Sequence, residues 1–329
     1  MKKIFFSILC LFLALFVYSN KINASSNMVY VSGANLGIKL QTEVEVIGTF
    51  GVNNGEKIST PWLDKIEEHD IIIKANGNEI NSANDLINIV ETSNGNSLSL
   101  IINRNNKLID LNVQPALNSN NKYSLGLYIK DYDMGVGTMS FVEKESLKYA
   151  ALGHSMVDKS ISGGSIYRAS VKEIVLPRDN IAGNKKADII GNEIGKVDQN
   201  LNNGVYGVLN DNNLLKNMTL MEISKREDVH KGDAYILTSI ESTTIEAFDI
   251  SITEVKKQVK SDIKGIRFKV TDETLLNKTG GIIQGMSGSP IIQDGKIVGA
   301  VTHVVLKDAS LGYGCYAEFM YNQMGFSLR

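Results

Sequence analysis

Two cysteines in 329 residues leave almost no material for disulfides. Cys10 lies in an N-terminal apolar run, so removal of that run leaves Cys315 alone, and the exported chain is held by its hydrophobic cores. Four prolines exclude a proline-rich or collagen-like chain, and a hydrophobic share of 43% excludes disorder. Positive charge is not in excess: 34 Lys and Arg stand against 36 Asp and Glu, a net charge of −2. That balance lacks the basic footprint a phosphate backbone demands, so nucleic acid is not an expected partner. Histidine is scarce, none of the four pairs with an acid at helical metal-site spacing, and cysteines do not cluster; no metal or other cofactor is implied. No repeat of 20–50 residues and no convincing phosphate-cradling loop is present; residues 183–186 read as a solvated turn, and 222–231 as an exposed charged face.

What is present begins at the N-terminus. Lys2 and Lys3 precede apolar residues 4–18, broken only by Ser7, the pattern of a secretory signal over residues 1–24. The run is short for a membrane span, which needs about 17–25 residues. Leu9 is too large for a lipoprotein site at Cys10. Ala24 suits a cleavage point, but Ile22 is a poor small-residue partner two positions earlier, so an uncleaved segment anchoring the chain to a membrane is the alternative to removal.

The length suggests two domains. Polar breaks at 20–27 and 118–122 separate the signal from a first unit, 30–115, and that unit from a second, 123–329. In the first unit, residues 38–40, 44–50 and 71–74 are strand-like, Asn76-Gly77 marks a tight turn, and 97–102 with 108–113 form a hairpin. Ser82 caps an amphipathic helix that places Leu86, Ile89 and Val90 on one face. Leu36-Gly37-Ile38, the stretch from Leu63 to Ile72, Asn76-Gly77 and this helix resemble a bacterial PDZ domain, although Trp62, Glu68 and His69 replace its usual small residue and glycine. Such domains bind an extended peptide along a sheet edge and hold its carboxylate in a backbone loop, which the resemblance assigns to Leu36, Gly37 and Ile38.

The second unit alternates short strands with Gly and Asn, the pattern of a β-sandwich or β-barrel. Its most informative stretch is Gly285-Met286-Ser287-Gly288-Ser289-Pro290. Glycines around a serine permit a tight turn, so that the amides of Gly285 and Ser287 can face the oxyanion formed when the Ser287 hydroxyl attacks a carbonyl. A base is required. His69 lies in the first unit, His230 in a charged stretch and His303 after the returning strand. His154 ends a strand after Ala150-Ala151-Leu152-Gly153, the setting of the base in barrel proteases. Asp272, 15 residues before Ser287, is the expected third member, with Asp158, Asp188 and Asp249 as alternatives that chain order leaves open.

Residues 125–131, 135–141, Ala151-Leu152-Gly153-His154, Thr271-Asp272, the run 278–290 and Gly299-Ala300-Val301-Thr302-His303 together resemble the SpoIVB-type (stage IV sporulation protein B) serine peptidases. The resemblance implies a PDZ domain (α+β) followed by a mainly β, chymotrypsin-like double β-barrel, with His154, Asp272 and Ser287 as catalytic residues. It also implies a sporulation signalling protease, exported across the forespore inner membrane into the intermembrane space. There it cleaves itself, with PDZ participation, and then a membrane-associated regulatory protein, triggering a late mother-cell sigma factor. The chain is shorter than the better-known members. The competing reading is a non-catalytic envelope scaffold that binds peptide tails through the PDZ domain. An HtrA-type quality-control protease ranks below both, because it places protease before PDZ.

Overall fold

The computed structural model describes residues 27–158, 161 and 163–328. The expected signal or anchor, 1–24, and Cys10 within it lie outside the described residues. Among those described, no helix is long and apolar enough to cross a membrane.

After β1 (Met28–Val31), the long strand β2 (Asn35–Thr49) carries period-two burial further than any local unit requires. Leu36, Ile38, Leu40, Thr42, Val44 and Val46 are buried and Glu43 is exposed, so one strand face is continuous core. Its second half belongs to a PDZ domain. β3 (Ile71–Ala75) meets β2 at Glu45, and α1 (Ala83–Thr92) follows. Ser82 accepts from the Asp85 amide while the Asp85 carboxylate accepts from the Ser82 amide, a reciprocal cap that starts α1 and turns Leu86 and Val90 inward. β4 (Leu98–Arg104) and β5 (Lys107–Val113) complete the sheet over a core including Val44, Ile72, Leu98 and Val113. Asn76-Gly77 and Asn105-Asn106 both have positive φ in two-residue hairpin loops, as the strand twist favours.

The chain returns through β6 (Leu127–Glu143), antiparallel to β2 from Leu127 opposite Thr49 to Thr138 opposite Asn35. β7 (Lys148–Ala151), β8 (Gly163–Val175), β9 (Asn184–Leu201) and β10 (Gly204–Leu209) then close a six-stranded ladder in the order β2-β6-β7-β10-β9-β8-β2. β11 (Thr219–Ile223) leads to a second closed ladder. Its members are β12 (Gly232–Glu241), β13 (Thr244–Val255), β14 (Ile266–Val270), then, after α2 (Glu273–Thr279), β15 (Pro290–Gln293), β16 (Lys296–Val305) and β17 (Asp308–Tyr316). The order is β12-β13-β14-β17-β16-β15-β12, again six strands. Closure removes sheet edges. Each barrel has its own core, and a third cluster, including Phe141, Ile292, Ala300 and Cys315 with Met320 of α3 (Ala317–Gln323), fills the space between them. β1 pairs with β6 and with β11, and β11 runs parallel to β16, so this short sheet straps one barrel to the other.

This is a mainly β double barrel of the chymotrypsin kind with a PDZ domain, but the boundaries differ from 30–115 and 123–329. β1 and the first half of β2 belong to the barrels, and the PDZ core takes Val44 at one end and Leu125, Leu127 and Ile129 at the other. The PDZ domain is inserted between two strands of the first barrel. Leu36, Gly37 and Ile38 therefore do not form a carboxylate loop. Gly37 pairs with Val136 on β6 and Tyr167 on β8, while Leu36 and Ile38 are buried in the first barrel; no edge is left for a peptide.

Candidate active site

The turn bearing Ser287 is bound on nearly every side. Thr138 of β6 donates its amide to the Ser287 carbonyl at 2.9 Å and its hydroxyl to the Gly285 carbonyl at 2.8 Å. Ser140 donates its hydroxyl to the Gly288 carbonyl at 2.7 Å, and the Gly288 amide donates to Val301 at 2.8 Å. With three carbonyls of the turn drawn toward the first barrel, the amides of Gly285 and Ser287 have no hydrogen-bond partner among the described residues. Gly288 is obligatory: its φ is +94°, and a Cβ there would lie 1.9 Å from the Thr138 carbonyl oxygen. The Ser287 hydroxyl donates to the Thr302 carbonyl at 2.9 Å.

His154 reaches the turn from the other barrel. Past β7, Leu152 and Gly153 both have positive φ, and Gly153 leaves no space for a side chain between itself and Thr302 or Cys315. This bend sets His154 beside β16. Asn200 accepts from the Met156 amide and donates to the Val157 carbonyl, both at 2.8 Å, pinning the chain that follows. His154 Nδ1 donates to the Ser155 carbonyl at 2.6 Å; a carbonyl only accepts, so Nδ1 carries the proton and Nε2 keeps its lone pair in the neutral ring. Burial holds the imidazole below its ordinary pKa, and the Ser155 carbonyl opposes this.

Ser287, Gly285, His154 and Thr302 line one cavity of about 580 Å³, with apolar walls that include Leu152 and Ile282. A second, of about 900 Å³, is also lined by His154. His303 lines both.

The acid expected beside the imidazole stands elsewhere. Asp272 caps α2, its carboxylate accepting from the Leu275 amide at 2.8 Å, and it lines neither cavity. Aspartate is a favoured residue at the entrance to a helix, and chain order does not separate a cap from a catalytic acid. Of the alternatives, Asp188 is exposed beside Lys172, Asp249 is exposed on β13, and Asp158 lines the larger cavity without bonding the imidazole.

Two features escaped the sequence. Lys185, read as part of a solvated turn, is buried behind Gly285, donating to Asn35 and Thr238 at 2.8 and 2.9 Å, and burial pushes its pKa down to about 7. The second is Leu125-Gly126-Leu127, which repeats the Leu-Gly-apolar pattern of residues 36–38. Gly126 has φ +70° and donates its amide to the Ser124 hydroxyl at 3.1 Å. Leu125, Leu127 and Ile129 face Leu86 and Val90 of α1 across a groove of about 80 Å³. Among the described residues no three His, Cys, Asp or Glu side chains are grouped to hold a metal ion.

Among solved structures, the active form of the Rv3671c protease from M. tuberculosis is 16% identical, covers 59% of this chain and 74% of its own, and has a TM-score of 0.34. The HtrA-type protease AlgW with a decapeptide is 9% identical, covering 94% of this chain and 66% of its own, with a TM-score of 0.36. The PDZ domain of an SdrC-like protein from Listeria monocytogenes is 18% identical, covers 27% and 88%, and scores 0.23. No curated protein matches. The family model for the SpoIVB peptidase S55 matches residues 121–321, a span that contains His154 and the Ser287 turn. The chain belongs to the SpoIVB peptidase S55 family and is a serine endopeptidase.

Proposed function

We propose that this endopeptidase is a sporulation signalling protease that cleaves itself and then a membrane-associated regulatory protein in the space between forespore and mother cell. Family membership supports the sporulation setting, and the N-terminal apolar segment supports export across the forespore inner membrane. The observation that carries the chemistry is the single cavity shared by Ser287, His154 and two unpartnered amides.

In the proposed reaction, the Ser287 hydroxyl turns from Thr302 toward His154 Nε2, gives up its proton and attacks the scissile carbonyl. The developing oxyanion is held by the amides of Gly285 and Ser287, a contribution of about 3–4 kcal/mol per donor in such sites. His154 then protonates the leaving amine, and water repeats the sequence on the acyl-enzyme. A peptide is proposed to dock against the edge of β6 at Leu125-Gly126-Leu127 and α1, where β2 occupies only one side of the strand.

The test is mass spectrometry of the purified full chain beside its Ser287→Ala variant. Self-cleavage of wild type and an intact variant are expected. Equal cleavage of both would reject the assignment, and an intact wild type that still binds peptide would leave the scaffold reading.

A further inference from the structure

His303 follows Thr302 on β16, and its ring centroid lies 5.0 Å from that of His154, with the planes inclined by 49°. Its Nδ1 is buried and has no hydrogen-bond partner among the described residues. A buried ring nitrogen with no protein partner beside His154 is free to act on that ring.

The need for such help is visible. No carboxylate touches His154 among the described residues; its Nδ1 proton goes to the Ser155 carbonyl. Once Nε2 takes the Ser287 proton, the ring is a cation in a partly buried place with a single carbonyl for support. Resting on the protease reading above, we propose that His303 is a positioning residue whose neutral ring supports the His154 imidazolium, in the part a triad carboxylate usually plays. A neutral imidazole keeps one unprotonated nitrogen, whose lone pair attracts a neighbouring cation, and the two rings lie close enough for that. The proton balance is unchanged: the serine proton passes to His154 and on to the leaving amine, and His303 gains none.

For this role His303 must stay neutral while His154 is charged, and its surroundings favour that. Lys264 faces it from the segment before β14 and, with burial and His154 itself, lowers its pKa. Asp262 and Asp158 line the larger cavity together with His154 and His303, and Tyr313 stands opposite on β17.

The experiment is the labelling of Ser287 in the full chain by a fluorophosphonate, measured from about pH 5 to 9, across the titration range of a histidine. Wild type is compared with His303→Phe, which keeps the ring and removes both nitrogens, and with His303→Gln, which restores an acceptor. In His303→Phe the maximal labelling rate should fall about 10-fold, less than the roughly 100–10,000-fold that a general base itself contributes. The half-saturating probe concentration should hold, and the acid limb should move to lower pH because the imidazolium has lost support. His303→Gln should recover part of both effects. A Phe variant with the wild-type rate and acid limb would overturn the role, as would equal losses in Phe and Gln that track a lowered melting temperature. Absence of any label on wild-type Ser287 would overturn the protease reading, and this one with it.

Discussion

A serine hydroxyl is a poor nucleophile, and the proposed activation of Ser287 draws on groups that line the same cavity. The flanking glycines announced the turn, and the Ala-Leu-Gly-His stretch announced the histidine; both signals are local and survive in the sequence. Lys185 was not legible, because a lysine between Asn184 and Lys186 looks like solvent-facing charge until β9 carries it under Gly285. Its burial has a measurable consequence. The folded pKa is about 7 against an ordinary 10.5, so the unfolded chain binds more protons between those values and stability rises with pH across that window. Below about pH 7 both states are protonated and the contribution is lost. The expected gain between about pH 7 and 8.5 is on the order of 1–2 kcal/mol in wild type, and Lys185→Met should flatten the profile. Denaturant unfolding across that range measures it; an identical slope in both proteins would show that Lys185 keeps its charge in the fold.

At the scale of elements, α1 was legible to its first residue because Ser82 and Asp85 form their cap locally. So were the Asn-Gly hairpin and the returning strand β16. β2 was not, since its alternation is equally good for a PDZ strand or a barrel strand, and only the partners β6 and β8 decide. Asp272 shows the same limit: a cap and a triad acid need the same carboxylate. The PDZ domain also contains a charge that the sequence left unpaired. Asp70 is fully buried, and Arg104 donates to both of its oxygens at 2.7 Å. Arg104→Met should cost about 3–5 kcal/mol, because it strands a buried carboxylate. Denaturant unfolding should show that loss, with the Asp70→Leu, Arg104→Met pair recovering most of it. A single substitution without cost would mean that water already reaches Asp70.

At the scale of the whole molecule, the strand count pointed to barrels, but the closure of two separate six-stranded ladders depends on pairings across most of the chain. That is why the PDZ domain looked like a preceding unit: its insertion becomes visible only when β1 and β2 are found inside the protease. The arrangement makes β6 a shared member. Leu127 and Ile129 at one end line the groove beside α1, while Thr138 and Ser140 at the other grip the Ser287 turn. The two barrels meet around that turn, one supplying the hydroxyl and the other the imidazole.

The most direct measurement is a crystal structure of the full chain after reaction with a fluorophosphonate. Phosphorus bonded to Ser287 Oγ is expected, with one phosphoryl oxygen about 2.7–3.1 Å from the amides of both Gly285 and Ser287, and His154 Nε2 facing the adduct. An adduct on another serine, or an oxygen turned away from both amides with His154 remote, would contradict it.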